Sequence, residues 1–350
     1  MNAYLDSTSA VGDWLKKLAE QKPVYFPQKD GEKNFNFLPL DGQSEPGFSN
    51  YRPTIIPPGK LLTPDQELMF SFEPDGNGGY RFFQQEDFGG QIIAGVRPCD
   101  LKAIAQMDAV YADEPADPLY ARHRQGTLLV AYACTTPCDT DCFCGSTGSI
   151  DFREGADVLL TPMGGQIIAE AMTDAGEQLL TDTGLSLCED AADRRAKAES
   201  GRPDPFGRQL QASTDELPEI LRQQYQSGVY AKYGERCFSC GTCNLVCPTC
   251  YCFEVCDDLN LDASSGNRTR TWDACMNPGF AEVAGGHNFR PQVADRQRHR
   301  IKRKFEYLTD RFGMGSFCVG CGRCGRQCTT GIDIFDMVND IVRENKGGTQ

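Results

Sequence analysis

Two cysteine runs constrain this chain more than any other feature. Cys237-x2-Cys240-x2-Cys243-x3-Cys247 is followed, after a gap of about 70 residues, by Cys318-x2-Cys321-x2-Cys324-x3-Cys328. Three cysteines at two-residue intervals wrap one side of an iron–sulfur cubane, each offering a thiolate to a different iron. The fourth lies beyond a short turn and reaches the cluster of the other run. The expected wiring puts Cys237, Cys240, Cys243 and Cys328 on one [4Fe–4S] cluster, and Cys318, Cys321, Cys324 and Cys247 on a second. Pro248 follows the first run, whereas Thr329 follows the second. A zinc module is the competing reading, but zinc modules use two C-x2-C pairs and would leave thiolates over. Gly241, Gly320, Gly322 and Gly325 are expected where backbone folds close against a cluster.

The remaining cysteines matter because the chain has 18 in all among 350 residues. The start, MNAYLDSTSA, has neither a basic segment nor an apolar one, so no secretory signal is expected. A cytoplasmic protein sits in a reducing compartment, where thiols are seldom tied up as disulfides, and metal is their default use. Cys134, Cys138, Cys142 and Cys144 follow the apolar strand Thr127–Ala133, and Cys99 follows the strand Gln91–Val96. Loops at the carboxyl ends of neighbouring parallel strands converge. A third cluster on Cys99, Cys134, Cys142 and Cys144 is therefore expected, in competition with a zinc site or structural thiols. Cys250, Cys252, Cys256 and Cys275 are read either as another cluster site or as buried thiols, and Cys188 as structural.

The expected fold is α/β or α+β. An N-terminal α/β domain (1–188) is followed by a linker (189–215) and a helical, bacterial-ferredoxin-like two-cluster domain (216–350) carrying an insert at 251–312. Residues 1–20 read as an amphipathic helix through Val11, Trp14, Leu15 and Leu18. The segment 39–64 reads as extended loop, 217–233 as helix, and Ile334, Phe335, Val338, Ile341 and Val342 as one helical face behind Asp333. A net charge of -14 argues against nucleic-acid binding. No apolar stretch approaches the ~20 residues of a membrane span. The basic stretch Arg290–Lys304, with seven Lys or Arg against one Asp, is read either as a solvated helix face or as a docking edge for an acidic partner. There is no dinucleotide or P-loop fingerprint, so no FAD or NAD of its own is expected. His123, His287 and His299 are too scattered to suggest a catalytic triad.

Several strings are more specific than the cysteine runs: Gly95-Val96-Arg97-Pro98-Cys99-Asp100, Asp141-Cys142-Phe143-Cys144, Cys247-Pro248-Thr249-Cys250-Tyr251-Cys252-Phe253, Arg270-Thr271-Trp272-Asp273-Ala274-Cys275 and Gly286-His287-Asn288-Phe289-Arg290-Pro291. Together they resemble the β subunit of cytoplasmic sulfhydrogenases and the similar A subunit of anaerobic sulfite reductases, with related subunits in flavin oxidoreductases linked to heterodisulfide reductase. The resemblance covers roughly residues 90–345. It implies a non-catalytic electron-transfer subunit between an FAD/NAD(P)-binding subunit and a catalytic hydrogenase, sulfite reductase or heterodisulfide reductase subunit. Cys138 is not part of the family string, and Thr329 departs from its proline at a turn rather than at a ligand. A subunit with its own sulfur- or disulfide-reducing centre, and a zinc-binding interaction module, are the alternatives.

Overall fold

The computed structural model describes residues 2–41, 44, 46–48, 51–84, 88–181, 183–262 and 264–347. Among the described residues, eleven strands form two sheets. β1 (Ala3–Ser7), β2 (Val24–Asp30), β3 (Asn34–Pro39), β6 (Gln91–Val96), β7 (Thr127–Tyr132), β8 (Val158–Met163) and β9 (Gln166–Ala171) make a seven-stranded sheet of order β1-β9-β8-β7-β6-β2-β3. β2, β6, β7 and β8 run parallel, and the outer strands are antiparallel. Both faces are covered, which is why the central strands read as unbroken apolar runs. On one face the helix Thr8–Ala19 buries Val11, Trp14 and Leu15 against Phe26, Ile92, Val130 and Leu160. On the other, the helix Pro98–Ala112 packs Leu101, Ile104 and Met107 against Ile93, Leu129 and Leu159.

A one-residue bulge in β6 aims the first cysteine-bearing loop. Ile92 and Ala94 face the first core, Ile93 the second, and the register shifts at Gly95 so that Val96 also joins the second. Gly95 sits at φ +84°, and a Cβ there would come within 2.8 Å of the Pro27 ring. Only glycine fits, and Arg97-Pro98-Cys99 follows directly as the helix entry.

The second sheet, β10-β11-β4-β5, pairs β4 (Gln66–Pro74) and β5 (Tyr80–Phe83) with β10 (Phe253–Leu259) and β11 (Gly266–Trp272). It takes two strands from each side of the expected division at 189–215. That division itself contains a helix, Ala191–Ser200, tied to β9 through the Arg195–Glu170 ion pair. The C-terminal helices make a further core: Leu217, Leu221, Tyr230 and Phe305 close on Met337, Val338, Ile341 and Val342. Burying each of those last aliphatic side chains is worth about 1.5–3 kcal/mol. Asp333 caps their helix, Ile334–Asn345, by accepting from the Phe335 amide at 3.0 Å.

Three local expectations change. Residues 3–7 form an edge strand on β9 rather than the start of a helix, because that edge is otherwise unpaired. The 217–233 segment is two short helices, Leu217–Gln223 and Val229–Gly234, broken at Gly228. The described residues of 40–64 hold only the single turn Pro58–Leu62, while 42, 43, 45, 49 and 50 lie outside the described residues. Among the described residues, no helix is long and apolar enough to cross a membrane.

Candidate iron–sulfur centres

Each ferredoxin-type run bends around a left-handed glycine into one short helical turn, Thr242–Leu245 after Gly241 and Arg323–Arg326 after Gly322. The two turns pack together and exchange their fourth cysteines. Cys237, Cys240 and Cys243 line one cavity with Cys328. Cys318, Cys321 and Cys324 line a second with Cys247. Both groupings are those expected from spacing.

Cys99, Cys134, Cys142 and Cys144 also come together, all less than a tenth exposed, with Cys138 and Ala103 in the same cluster. Adjacent parallel strands β6 and β7 deliver Cys99 and Cys134. Cys138, left out of the expected ligand set because it is not part of the family string, joins them and interacts directly with Cys142. Cys321 packs into this cluster as well, so the third thiol group abuts the second cavity. The join is a main-chain contact in which the Phe143 amide donates to the Gly320 carbonyl at 2.8 Å. A Cβ on Gly320, at φ +69°, would lie 2.6 Å from the Cys144 nitrogen. The glycine is thus demanded by the neighbouring cysteine loop and not by a cluster alone.

The electrostatics of these sites are unusual. Arg97, Lys60, Lys102, Arg300 and Lys304 are all less than a tenth exposed, and none pairs with a carboxylate among the described residues. Arg97 instead sits 3.5 Å from the Cys134 sulfur and over the Tyr51 ring. Lys304 donates to the Thr249 carbonyl and hydroxyl at 2.7 Å each. Lys60 donates to the Cys250 carbonyl at 2.9 Å, and Lys102 to the Thr147 carbonyl at 2.6 Å. The Arg300 side chain makes no hydrogen bond or ion pair among the described residues, yet it lines both ferredoxin cavities and a third beside Cys250. A buried cation without a counter-charge costs several kcal/mol, so an anion is owed at each of these positions. Beside Arg300, burial pushes Cys243 up to about 11 and Cys324 up to about 12, so these thiols stay neutral, whereas a bond from Cys250 and the charge of Lys304 hold Cys247 below the ordinary thiol range. Four thiolates on each cluster would answer the whole set of cations.

The basic stretch 290–304 is therefore not a solvent-facing edge. Arg296, Arg300, Lys302 and Lys304 are buried, on the helix Val293–Lys302 and the π-helical turn Arg303–Tyr307 that continues it. Lys302 is neutralised by Glu306, four residues on. A second buried device ties the two halves: Arg323, 1% exposed, makes a two-pronged pair with Asp100 at 2.6 and 2.7 Å and donates to the Thr54 carbonyl.

Among the described residues, no three His, Cys, Asp or Glu side chains converge as a single metal ion requires. One tetrahedral ion draws its sulfurs to within about 4 Å of each other. Here the thiols ring cavities instead, an arrangement that suits a polynuclear group. Cys256 lies apart on the exposed β10, and Cys188 is half-buried near the N-terminal strand. The cations were the functional residues missed from sequence. For Arg300 and Lys304 the signal was a charge run too dense for its neighbours to balance; Lys60, Arg97 and Lys102 stand alone in the sequence.

Known proteins point the same way. Residues 236–332 match the family model of the 4Fe-4S dicluster domain. No solved structure matches the chain significantly. The chain is similar to sulfhydrogenase 2 subunit beta of Pyrococcus furiosus, 31% identical over 345 residues that cover 94% of this chain and 95% of that protein. With its cysteine sites and a likeness that spans almost its whole length, this chain belongs to the sulfhydrogenase β-subunit family.

Proposed function

We propose that this chain is the iron–sulfur electron-transfer subunit of a cytoplasmic multi-subunit oxidoreductase. It relays electrons between a flavin- and NAD(P)-binding subunit and a catalytic subunit of the hydrogenase, sulfite reductase or heterodisulfide reductase type. Cys237, Cys240, Cys243 and Cys328 would hold one [4Fe–4S] cluster, and Cys318, Cys321, Cys324 and Cys247 a second. A third would rest on Cys99, Cys134, Cys142 and Cys144. When bound, such clusters supply reversible one-electron chemistry at potentials set by charge, burial and N–H···S bonds.

The observation that carries this reading is the set of buried cations without carboxylate partners around the thiol sites. A four-thiolate zinc site would be anionic as well, so the cations call for a thiolate-bound metal group of either kind. What favours clusters over zinc is that four thiols ring each cavity without converging on one point among the described residues. The protein's residues do the rest. Arg300 holds positive charge against both ferredoxin sites, Lys304 against the second, and Arg97 at Cys134. Phe143, Val319 and Ile334 exclude water around the second cavity. The first site reaches the surface: Cys240 is exposed and Phe238 is 73% exposed, so this edge is where a partner would exchange electrons.

The test is iron and acid-labile sulfide per chain on anaerobically prepared protein, with EPR of the reduced form. About twelve of each are expected for these three sites. Cys321→Ser should remove about four irons, and so should Cys142→Ser. A colourless protein holding zinc and no sulfide would end the reading.

A further inference from the structure

Three cysteines fall outside the sites assigned above yet stand together. Cys250 and Cys252 leave the first run in Thr249-Cys250-Tyr251-Cys252, and Cys275 follows β11 through Asp273 and Ala274. The Asp273 amide donates to the Cys252 carbonyl at 3.0 Å, which draws the two loops together. Asn244, 1% exposed, donates its side-chain amide to the Cys250 and Cys275 sulfurs at 3.3 Å each. An amide spending its protons on two sulfurs favours thiolates, and so does the wall they share. The three cysteines line a cavity of about 320 Å³ with Arg300, Arg303 and Lys304, and no carboxylate lines it.

Packing thiols would fill such a space and avoid cations, since interiors leave few voids larger than a water. A lone metal ion fits no better, because the three sulfurs do not converge on one point. Cys256 is no fourth member: it lies on the exposed edge strand, opposite Thr269. We propose that Cys250, Cys252 and Cys275 hold a fourth iron–sulfur cluster, one iron of which has no cysteine and faces the cavity, open to a small anionic donor. The three cysteines are ones that the electron-carrier reading does not use, so either can fail without the other. Asn244 positions two of the thiolates, and Arg303 and Lys304 supply the field that draws an anion in.

Iron on the anaerobic full-length chain should then be about sixteen per chain, against about twelve without this site. Cys252→Ser and Cys275→Ser should each lose about four irons while the EPR signals of the ferredoxin clusters persist. Cys256→Ser should keep the parent's content. Asn244→Leu, which keeps every thiol and so does not depend on the serine variants folding, should lower the potential of this cluster most, with a smaller shift at the Cys243 cluster that its side-chain oxygen touches. Millimolar cyanide should alter the EPR of one cluster in the parent and of none in Cys275→Ser. The site is refuted if both serine variants retain the parent's iron, or if they lose one zinc in place of iron. An EPR spectrum indifferent to cyanide refutes the open iron. A parent chain without any iron would instead bring down the electron-carrier reading itself.

Discussion

Replacing Arg300 by Met isolates the electrostatic role of a single side chain. Arg300 is 3% exposed, has no acidic partner among the described residues, and lines the cavities of both ferredoxin-type runs. Reduction adds a negative charge, so a nearby fixed cation stabilises the reduced form and raises the potential. A guanidinium in a cavity wall lies about 7 Å from the centre, and at an effective dielectric of about 20 the interaction is about 2.4 kcal/mol. At about 59 mV per 1.36 kcal/mol for one electron, Arg300→Met should lower each potential by about 100 mV. EPR-monitored redox titration of the anaerobic protein reads this directly. Arg300→Lys, which keeps the charge, should recover most of the shift, and added salt should change little because the pair is buried. The Cys99-centred site, whose own cation is Arg97, should move least. Ferredoxin-cluster potentials that stay within about 20 mV of the parent would refute the argument, as would a shift reproduced in full by Arg300→Lys.

Other outcomes can be set beside this one. Asp100→Ala should destabilise the chain by about 3–5 kcal/mol in chemical denaturation, because it strands Arg323 as a buried unpaired charge; a loss below about 1 kcal/mol would show the cluster thiolates to be its real counter-charge. Cys138→Ser should keep the iron content of the parent while Cys99→Ser loses about four irons, and the reverse result would put Cys138 in the ligand set. Burial opposes ionisation of Glu67, but its bonds to His123 and Arg270 prevail and hold the carboxyl below its ordinary range. The unfolded chain therefore binds the proton first. Stability from this group is present above about pH 4.5 and falls away as pH drops through the folded value, so the stabilities of wild type and Glu67→Gln in chemical denaturation should converge as pH is lowered. Thiols raised by burial must shed protons to bind iron, so cluster reconstitution should be faster at pH 8.5 than at about pH 6.5, followed by absorbance.

What could be read from sequence was whatever local spacing encodes. The two runs announce their own geometry, and even the exchange of Cys247 and Cys328 follows from the three-residue gap before each. The convergence of Cys99 and Cys134 was legible because β6 and β7 are apolar runs with cysteines just beyond them. Cys138 keeps the four-residue interval of Cys134 and Cys142 and was set aside only because the family string lacks it. The second sheet was invisible for a different reason: β4 and β11 are nearly 200 residues apart, and β10 and β5 are polar or exposed edges without a clear alternation. Arg300 and Lys304 misled because charge in sequence ordinarily means solvent. Only the anion owed to them makes their burial sensible. The buried position of 290–304 reverses the docking-edge reading, while the family assignment drawn from the short specific strings holds over nearly the whole chain.

The exchange of fourth cysteines also has a consequence for how the protein is made. The cavity begun by Cys237, Cys240 and Cys243 is closed by Cys328, Thr329 and Thr330, and the second cavity waits on the chain as far as Cys324. At about 5–20 residues per second, a nascent chain holds the first three thiols unclosed for about 4–16 s before the last arrives. During that interval the thiols and the lysines and arginines meant to face them are in water together, so cofactor delivery has to come after translation has passed the second run. A chain stalled between the runs would carry free thiols with no site to retain iron, and one oxidised there would reach completion already unable to close either cavity.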